Sequence, residues 1–340
     1  MYGLVTRSYR FVVCALLVTF ASALLFAPVA SGSTLWVARS GSDAAPGTAT
    51  RPLKTLDGAL ARARPGQTIL VRSGTYPELT EASPRGRANA PVTLRPAPGA
   101  RPVASGGFKL IRARHVRVVG MTFDGTGNPA GFGTSIWASE DILFSHNEIT
   151  GYGRAQGVLI KDRSSDVRLI GNHIHHLGEQ PRFEHGIYCE SARGTVIADN
   201  VIHDIPSGYG IHLFGDCDGT RIVRNTIAHN GLSGIIIAGN DERGTPDGTV
   251  IARNVIAEHT VAAWSEYGFA VTEYQAGSGN VVRDNVFFRN AGRHNVDCDA
   301  CDAHGNVERD PHFVDAAHGN FALQGDSPVP GRISAARKRQ

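Results

Sequence analysis

A short unit of Asn, any residue and then Ile or Phe recurs along the central part of this chain, and this repeat constrains the fold more than any other feature. Successive copies start 25, 28, 25, 29 and 31 residues apart. They begin at Asn147, Asn172, Asn200, Asn225, Asn254 and Asn285. A second unit, Gly followed by three mostly apolar residues, alternates with the first and begins at Gly157, Gly186, Gly210, Gly234 and Gly268. Each period therefore holds short runs typical of strands, with no helical periodicity.

A period of this size predicts a solenoid in which each repeat stacks on the next. A leucine-rich horseshoe would need a denser Leu ladder, and a propeller blade would need about 40 residues or more. We therefore predict an all-β fold, a parallel β-helix, whose equivalent residues form columns with a spacing of about 4.8 Å. The recurring Asn is then an inward ladder that satisfies turn amides, and the Ile two positions later fills the core.

The two ends of the repeat differ from its middle, as expected for a solenoid whose open ends would expose apolar interior. Before Pro65 and Gly66, four apolar residues fall on one face of a predicted N-terminal capping helix: Leu53, Leu56, Leu60 and Ala63. After Asp310, three apolar residues suggest a second cap: Phe313, Phe321 and Leu323. We interpret 34–330 as a single domain and 331–340 as a disordered tail.

Residues 1–33 have the pattern of a secretory signal peptide, because Arg7 and Arg10 precede an apolar run from Phe11 to Phe26. No other segment approaches the roughly 20 apolar residues that a transmembrane helix needs. We therefore predict an exported protein, secreted or periplasmic, with no membrane span.

Charge and cysteine content exclude some partners. The formal net charge is only +3, so we expect no nucleic-acid partner, and we expect a monomer. Four cysteines lie outside the predicted signal peptide, an even number that an oxidising compartment allows to pair. Cys298 and Cys301 have the spacing of a zinc half-site without a second half, so we expect a short disulfide or free thiols there.

Segments near both ends carry a family resemblance. They are Leu35–Asp43, Pro46–Thr48, Pro52–Thr55, Pro65–Ile69 and Gly74–Tyr76 at the start, and Asp310–Asp315 with Ser327 and Pro328 near the end. Together with the repeat they resemble secreted right-handed parallel β-helix proteins of the pectate-lyase-like superfamily. The resemblance covers essentially the whole chain after the signal peptide and implies the fold. The superfamily includes polysaccharide lyases, glycoside hydrolases, uronate C5-epimerases and coils without known chemistry, so the activity stays open.

Function in such a coil is expected on outward columns, because packing uses the inward positions. Alternation places Ile187 and Cys189 inward and therefore Tyr188 and Glu190 outward. In the next turn His212 points outward, so the Tyr188 and His212 side chains are predicted neighbours, about 5 Å apart at Cβ.

Further candidates surround this pair. Lys161, one turn earlier, is expected to stack against Glu190, while His185 and Tyr209 precede the Gly residues of their strands and Arg182 lies in the adjoining loop. We predict as catalytic residues His212, Tyr188, His185 and Lys161. We predict as substrate-binding residues Arg182, Glu190, Tyr209 and Trp264.

These residue types suit chemistry on a uronate polymer. Such a reaction needs a group that neutralises the C6 carboxylate, a base for the C5 proton and an acid for the leaving glycosidic oxygen. Arg182 or Lys161 is the candidate for the carboxylate, His212 or His185 for the base, and Tyr188 for the acid. We therefore favour a polysaccharide lyase that cleaves an acidic polysaccharide by β-elimination.

Other functions stay open. A glycoside hydrolase would need two or three converging carboxylates, and Glu190 alone is acidic on the predicted face. A uronate C5-epimerase would use nearly the same residues as a lyase, and a non-catalytic coil would bind glycan or a cell-surface partner through the same polar face. Asp216 and Asp218 could hold Ca²⁺, although two carboxylates in such a turn more often cap it, and we predict no other metal site or cofactor.

Overall fold

The computed structural model describes residues 34–127, 133–178, 184–260 and 268–329. In these ranges each turn of the chain contributes three short strands, which pair in parallel with the equivalent strands of the turns before and after. The pairing builds three long sheets of 11, 9 and 10 strands, here called the first, second and third sheets. The all-β parallel β-helix predicted from the repeat is confirmed.

The strand bounds follow the predicted repeat. The first sheet contains, in spatial order, β1 (Thr34–Val37), β2 (Thr68–Val71), β5 (Val92–Pro96), β8 (Arg114–Val119), β11 (Glu140–Ser145), β14 (Ser165–Ile170), β17 (Val196–Ala198), β20 (Arg221–Val223), β23 (Val250–Ala252), β26 (Asn280–Arg283) and β29 (Cys301–His304). The second sheet contains β4 (Thr80–Ala82), β7 (Phe108–Ile111), β10 (Thr134–Trp137), β13 (Val158–Lys161), β16 (Ile187–Glu190), β19 (Ile211–Phe214), β22 (Ile235–Ala238), β25 (Val271–Tyr274) and β28 (Val296–Asp297). The third sheet contains β3 (Gly74–Tyr76), β6 (Pro102–Ala104), β9 (Thr122–Asp124), β12 (Glu148–Thr150), β15 (His173–His175), β18 (Val201–Ile205), β21 (Thr226–Asn230), β24 (Val255–Ala257), β27 (Val286–Phe288) and β30 (Val307–Glu308).

The predicted capping helix is α1 (Leu56–Arg62). Thr55 begins it, since its hydroxyl accepts a hydrogen bond from the Gly58 N–H at 3.0 Å. Leu56 and Leu60 are buried on its inner face and join the core of the coil. The helix therefore covers the start of the solenoid, as the sequence predicts.

The recurring asparagines form the expected inward ladder. In each step an Asn side-chain oxygen accepts from the backbone N–H of the Asn one turn earlier, as Asn225 Oδ1 does from Asn200 at 2.9 Å. The amide nitrogens donate to backbone carbonyls, as Asn225 Nδ2 does to Ile197 at 2.9 Å. The ladder runs through Asn147, Asn172, Asn200, Asn225, Asn254, Asn285 and Asn306. These asparagines are structural, and the last of them extends the predicted series.

Each ladder Asn follows a residue in the left-handed region of backbone space, which turns the chain from the first sheet to the third. Gly171 occupies this position with φ +66° at no steric cost, whereas Asp199 and Arg224 hold φ +57° and +56°. The Arg224 guanidinium donates twice to the Asp199 carboxylate, at 2.8 and 2.7 Å. Hydrogen bonds between adjacent turns thus support a backbone conformation that costs free energy at non-glycine positions.

The C-terminal segment corrects one prediction. Strands β31 (Phe313–Asp315) and β32 (Asn320–Leu323) form an antiparallel pair, joined by a single 3₁₀ turn at Ala316–His318. Phe321 packs against Val201 and Ala228, on the outer face of the third sheet and several turns before the end of the coil. The segment therefore covers a flank of the solenoid rather than its end, and the strands of the last turn, β29 and β30, are largely exposed.

The four cysteines outside the predicted signal peptide fall into two pairs. Cys298 and Cys301 form a disulfide, whereas Cys189 and Cys217 are buried free thiols. The predicted signal peptide at 1–33 and the predicted tail at 331–340 lie outside the described residues. Among the residues that the structure does describe, no helix is long and apolar enough to cross a membrane.

Candidate functional site

The second sheet brings the predicted tyrosine and histidine together. Tyr188 in β16 pairs in register with His212 in β19, and their ring centroids are 4.8 Å apart. Lys161 in β13 pairs with Glu190 in β16, as expected. Alternation along Gly-initiated strands therefore predicts these neighbours correctly.

His185 joins this pair from the turn that precedes β16. It is 3% exposed, and its ring centroid lies 4.6 Å from that of His212. Its Nδ1 atom accepts a hydrogen bond from the Tyr209 backbone N–H at 3.2 Å, and its Nε2 atom lies 3.0 Å from His212 Nδ1. Both ring nitrogens of His185 are thus used within the protein.

This chain of hydrogen bonds fixes which nitrogens carry protons. Because His185 Nδ1 accepts, its Nε2 carries the hydrogen and donates to His212 Nδ1. The neutral His212 ring then carries its own hydrogen on Nε2. His212 therefore has a buried N–H donor without a hydrogen-bond partner among the described residues.

The same arrangement bears on the predicted role of either histidine as a base, which stays a prediction. His185 has no free lone pair, and the lone pair of His212 accepts from His185. Burial lowers the pKa of His212 to about 3, and burial together with the His212 ring lowers the pKa of His185 well below its usual value. Both rings are therefore neutral at pH 7, and the hydrogen bond between them holds the His212 ring in place.

Tyr188 has the properties of a proton donor. Burial raises its pKa to about 12, so the phenol is protonated at neutral pH. Its side chain is partly exposed on the outer face of β16, beside the His212 ring. The predicted role of Tyr188 as an acid is therefore compatible with its surroundings.

Lys161 lies beside Glu190 in register but does not form the expected ion pair with it. Its ammonium is 3.8 Å from Asp162 Oδ1 and 4.5 Å from the centroid of the Trp137 ring. Glu190 instead forms an ion pair with Arg243, which belongs to the loop after β22. That loop reaches back over two turns of the coil, and the local sequence pattern gives no sign of it.

A charged cleft of about 790 Å³ adjoins these side chains where the second sheet turns toward the first. Its lining includes three arginines from three different turns of the coil, Arg163, Arg193 and Arg243. Acidic side chains accompany them: Asp162, Glu190, Asp216 and Glu242. The strand repeat does not predict these arginines, since each lies in a turn of a different length.

The two carboxylates considered for Ca²⁺ face one of these arginines. Asp216 Oδ2 lies 3.7 Å from Arg193 Nη2, and Asp218 Oδ2 lies 3.8 Å from Arg193 Nε. Asp218 also caps the next turn, because its Oδ1 accepts from the Asp247 N–H at 3.1 Å. A guanidinium between two carboxylates competes with a cation, so the turn-capping interpretation fits this donor set better than calcium.

Three further residues are predicted to bind substrate: Tyr209, Arg182 and Trp264. Tyr209 is 7% exposed and packs in a small apolar cluster with Leu232 and Ile236, so it supports His185 rather than lining the cleft. Arg182 and Trp264 lie outside the described residues.

Sequence comparisons find similarity to β-helix proteins over part of this chain. A family profile described as "Right handed beta helix region" matches residues 103–227, and one described as "Protein of unknown function (DUF1565)" matches residues 39–84. A curated relative, "Uncharacterized protein YwoF" of Bacillus subtilis (strain 168), is 29% identical over 244 residues. The alignment covers 66% of this chain and 47% of that protein, so the chain spans about half the length of this relative.

Solved structures show the same architecture. Pectate lyase Pel9A has a TM-score of 0.58 at 17% identity, with 88% of this chain and 91% of that chain covered. A rhamnogalacturonan lyase has a TM-score of 0.53 at 12% identity, covering 83% and 91%. A glycoside hydrolase has a TM-score of 0.54 at 10% identity, covering 86% and 99%. These likenesses confirm the right-handed parallel β-helix and the predicted resemblance to pectate-lyase-like proteins at the level of the fold.

Proposed function

We propose that this protein binds a uronate-containing polysaccharide along the outer face of its second sheet and cleaves it by β-elimination. The observation that carries the proposal is the position of three arginines in one cleft that Glu190 also lines, two residues after Tyr188 on the same strand. Similarity in fold to two polysaccharide lyases supports the same class of reaction. Export, predicted from residues 1–33, would deliver the protein to such a polymer.

The arginines suit a polyanionic ligand. A guanidinium has five N–H donors and binds carboxylates in a planar, two-point geometry. The ion pairs with Glu190 and Asp216 use only part of the donors of Arg243 and Arg193, and they hold these side chains in place. The remaining donors line the cleft, where they match the carboxylates that repeat along a uronate chain.

The reacting groups follow from the hydrogen bonds of the site. A cleft arginine pairs with the C6 carboxylate and stabilises the charge that develops there as the C5 proton leaves. The electron pair of the C5–H bond forms the C4–C5 double bond, the C4–O bond breaks, and the Tyr188 hydroxyl protonates the leaving oxygen. The C5 proton passes to Lys161 Nζ, our candidate base, because hydrogen bonds use the lone pairs of both histidines. An amine accepts a proton only in its neutral form, so this assignment predicts activity that rises with pH.

Glycoside hydrolysis is the second candidate, favoured by the carboxylates in the cleft and by similarity in fold to a glycoside hydrolase. Hydrolysis needs one protonated and one ionised carboxyl group at a fixed separation. Glu190 and Asp216 each face an arginine, so the two carboxyl groups have similar surroundings and nothing among the described residues distinguishes an acid from a base. Elimination is the better fit for that reason.

A panel of uronate polymers tests the proposal. The purified chain is incubated with each polymer, and ultraviolet absorbance of the unsaturated product is recorded in parallel with release of reducing ends. We expect both signals to rise together on at least one polymer. Reducing ends without absorbance would indicate hydrolysis, inversion at C5 without cleavage would indicate an epimerase, and binding without any product would indicate a non-catalytic coil.

Single substitutions then test the site. We expect Tyr188→Phe, which keeps the ring and removes the hydroxyl, to lower kcat by about 10²-fold or more, the usual value of a positioned acid. Tyr274→Phe is the matched control, because Tyr274 lies on the same sheet in β25 and is 62% exposed. Full activity in Tyr188→Phe would remove Tyr188 from the mechanism even if the enzyme class held.

A further inference from the structure

A separate histidine cluster lies on the outer face of the third sheet. His173 and His175 in β15 point outward on either side of the buried Ile174. Register places His175 beside His203 in β18, one turn later. Each of His173, His175 and His203 offers one ring nitrogen, and these three nitrogens all lie within 4.8 Å of one another. We call these three residues the histidine cluster.

Hydrogen bonds orient the His203 ring toward its neighbours. His203 Nδ1 lies 2.7 Å from Asp204 Oδ2, and because an ionised carboxylate only accepts, this nitrogen carries the ring hydrogen. His203 Nε2 therefore has a lone pair, and it lies 2.8 Å from His173 Nε2. A carboxylate that holds the far nitrogen of a histidine is the usual support of a metal-binding imidazole.

The spacing fits a small divalent metal ion. With metal–nitrogen distances near 2.0–2.1 Å and tetrahedral angles, two imidazole nitrogens lie about 3.3 Å apart. The His173 and His203 nitrogens would need to separate by roughly 0.5 Å to reach that distance, which small rotations of two side chains supply. Three imidazoles select transition metals such as zinc over magnesium or calcium.

The cluster is sheltered by the C-terminal segment. It lines a cavity of about 620 Å³ that also includes residues 317–321. The Phe321 ring centroid is 4.8 Å from that of His203, and His203 is 1% exposed. Gly319 lies so close that an added Cβ would be 3.1 Å from His203 Cε1. The hairpin therefore encloses one side of the cluster and restricts water there.

The third member of the cluster also faces this enclosed space. His175 Nε2 is buried and has no hydrogen-bond partner among the described residues, although it lies 3.4 Å from Glu148 Oε1. Glu148 in β12 pairs in register with His173, so its carboxylate lies at the edge of the cluster. The Glu148 carboxylate at this position would act as a fourth metal ligand, or it would hold a water molecule bound to the metal.

We propose that the histidine cluster is a zinc-class metal site, in which His173, His175 and His203 supply three imidazole nitrogens and Asp204 positions His203. Because its ligands come from β15 and β18, the ion would fasten two successive turns of the coil. The site is on the third sheet, so it is independent of the polysaccharide cleft on the second sheet.

Metal titration of the tag-free full-length chain tests this proposal. After treatment with a chelator the protein is titrated with Co²⁺, whose visible absorption reports tetrahedral coordination by nitrogen, and the ion is then displaced with Zn²⁺. We expect one ion per chain and an increase in melting temperature that grows with the free metal concentration. The absence of saturable Co²⁺ absorption would overturn the proposal. So would Co²⁺ binding that does not depend on the histidine cluster.

Variants assign the ligands. We expect His173→Ala, a change at a partly exposed residue, to abolish the Co²⁺ spectrum, and Asp204→Asn to weaken zinc binding by about 10–100-fold. His304→Ala is the matched control, since His304 is exposed in β29 and pairs with Asp302. Melting curves without metal confirm that each variant folds, and His203→Gln provides a second ligand test. Unchanged metal affinity in both His173→Ala and His203→Gln would sink the assignment.

Discussion

At the scale of single residues, the asparagine ladder shows how one side chain type solves a recurrent problem of the fold. Each tight turn between the first and third sheets leaves backbone groups facing the dry interior, where an unpaired N–H or C=O group costs free energy. An Asn amide both accepts and donates, so one residue per turn satisfies groups of its own turn and of its neighbour. The repeat is visible in the sequence because a short amide side chain carries its acceptor oxygen and its two-hydrogen donor nitrogen on separate atoms, which reach different backbone groups at once.

The Asn225→Ala substitution tests the contribution of one ladder residue. It leaves the buried Asn200 N–H and the Ile197 carbonyl without their partners, so we expect the free energy of unfolding to fall by about 2–4 kcal/mol. Asn306→Ala is the control, because Asn306 is the last, partly exposed member of the ladder and water can replace its contacts. Chemical denaturation measures both. An equal loss in the two variants would contradict a burial-dependent role.

At the scale of elements, the C-terminal hairpin shows what the strand repeat cannot predict. The aromatic residues of this segment were expected to cap the last turn, yet Phe321 packs on β18 and β21 and Phe313 on Phe321. Apolar composition shows that a segment must pack on something, but it does not specify which exposed face of a long coil receives it. The face of the third sheet that contacts the hairpin carries Val201 and Ala228, two small apolar residues that point outward. Their role as the surface on which Phe321 packs is evident only from the structure.

The Phe321→Ala substitution should detach this hairpin without unfolding the coil. Phe321 is 2% exposed and supplies the main aromatic contact to the third sheet, so we expect faster hydrogen exchange in 313–323 with little change in the main melting transition. Val314→Ala in the same hairpin is the control, since Val314 is 49% exposed. Exchange that stays slow in Phe321→Ala would show that other contacts hold the segment.

At the scale of the whole molecule, buried histidines make the coil sensitive to acid. Burial lowers the pKa of His212 and of His259 to about 3, from an ordinary value of 6.5. Below pH 6.5 the unfolded chain takes up protons at these residues and the folded chain does not. Stability is therefore fully present above pH 6.5 and is lost as the pH falls from there toward 3, on the order of 1–2 kcal/mol per histidine at pH 5.

The His259→Asn substitution isolates one of these histidines. Its neighbours in the same inward column are Asn230, whose N–H donates to His259 Nδ1, and Asn290, so an Asn fits the column. We expect the drop in melting temperature between pH 7 and pH 5 to become smaller than in the wild type. His304→Asn, at an exposed position, should leave the drop unchanged. A wild-type melting temperature that does not fall over this range would contradict the burial argument.

The sequence predicts the coil far better than the site. Strand alternation and the ladder fix inward and outward positions, so the pairing of Tyr188 with His212 is correct. Which hydrogen bonds those side chains make depends on turns of unequal length, which place the Tyr209 amide against His185 and Arg243 against Glu190. The role of a base, predicted for the histidines, depends on the tautomer of each ring, which is set by atoms outside the repeat.

The last turn of the coil has a consequence for how copies of this protein meet. Strand β29 is the terminal strand of the first sheet, so its outer edge presents backbone groups to which another chain could add a strand. The side chains of Asp302 and His304 there are 71% and 54% exposed. Charged side chains on an exposed edge strand disfavour end-to-end stacking of copies into fibrils. We therefore expect the Asp302→Val variant, which removes a charge from β29, to form fibrils more readily than the wild type.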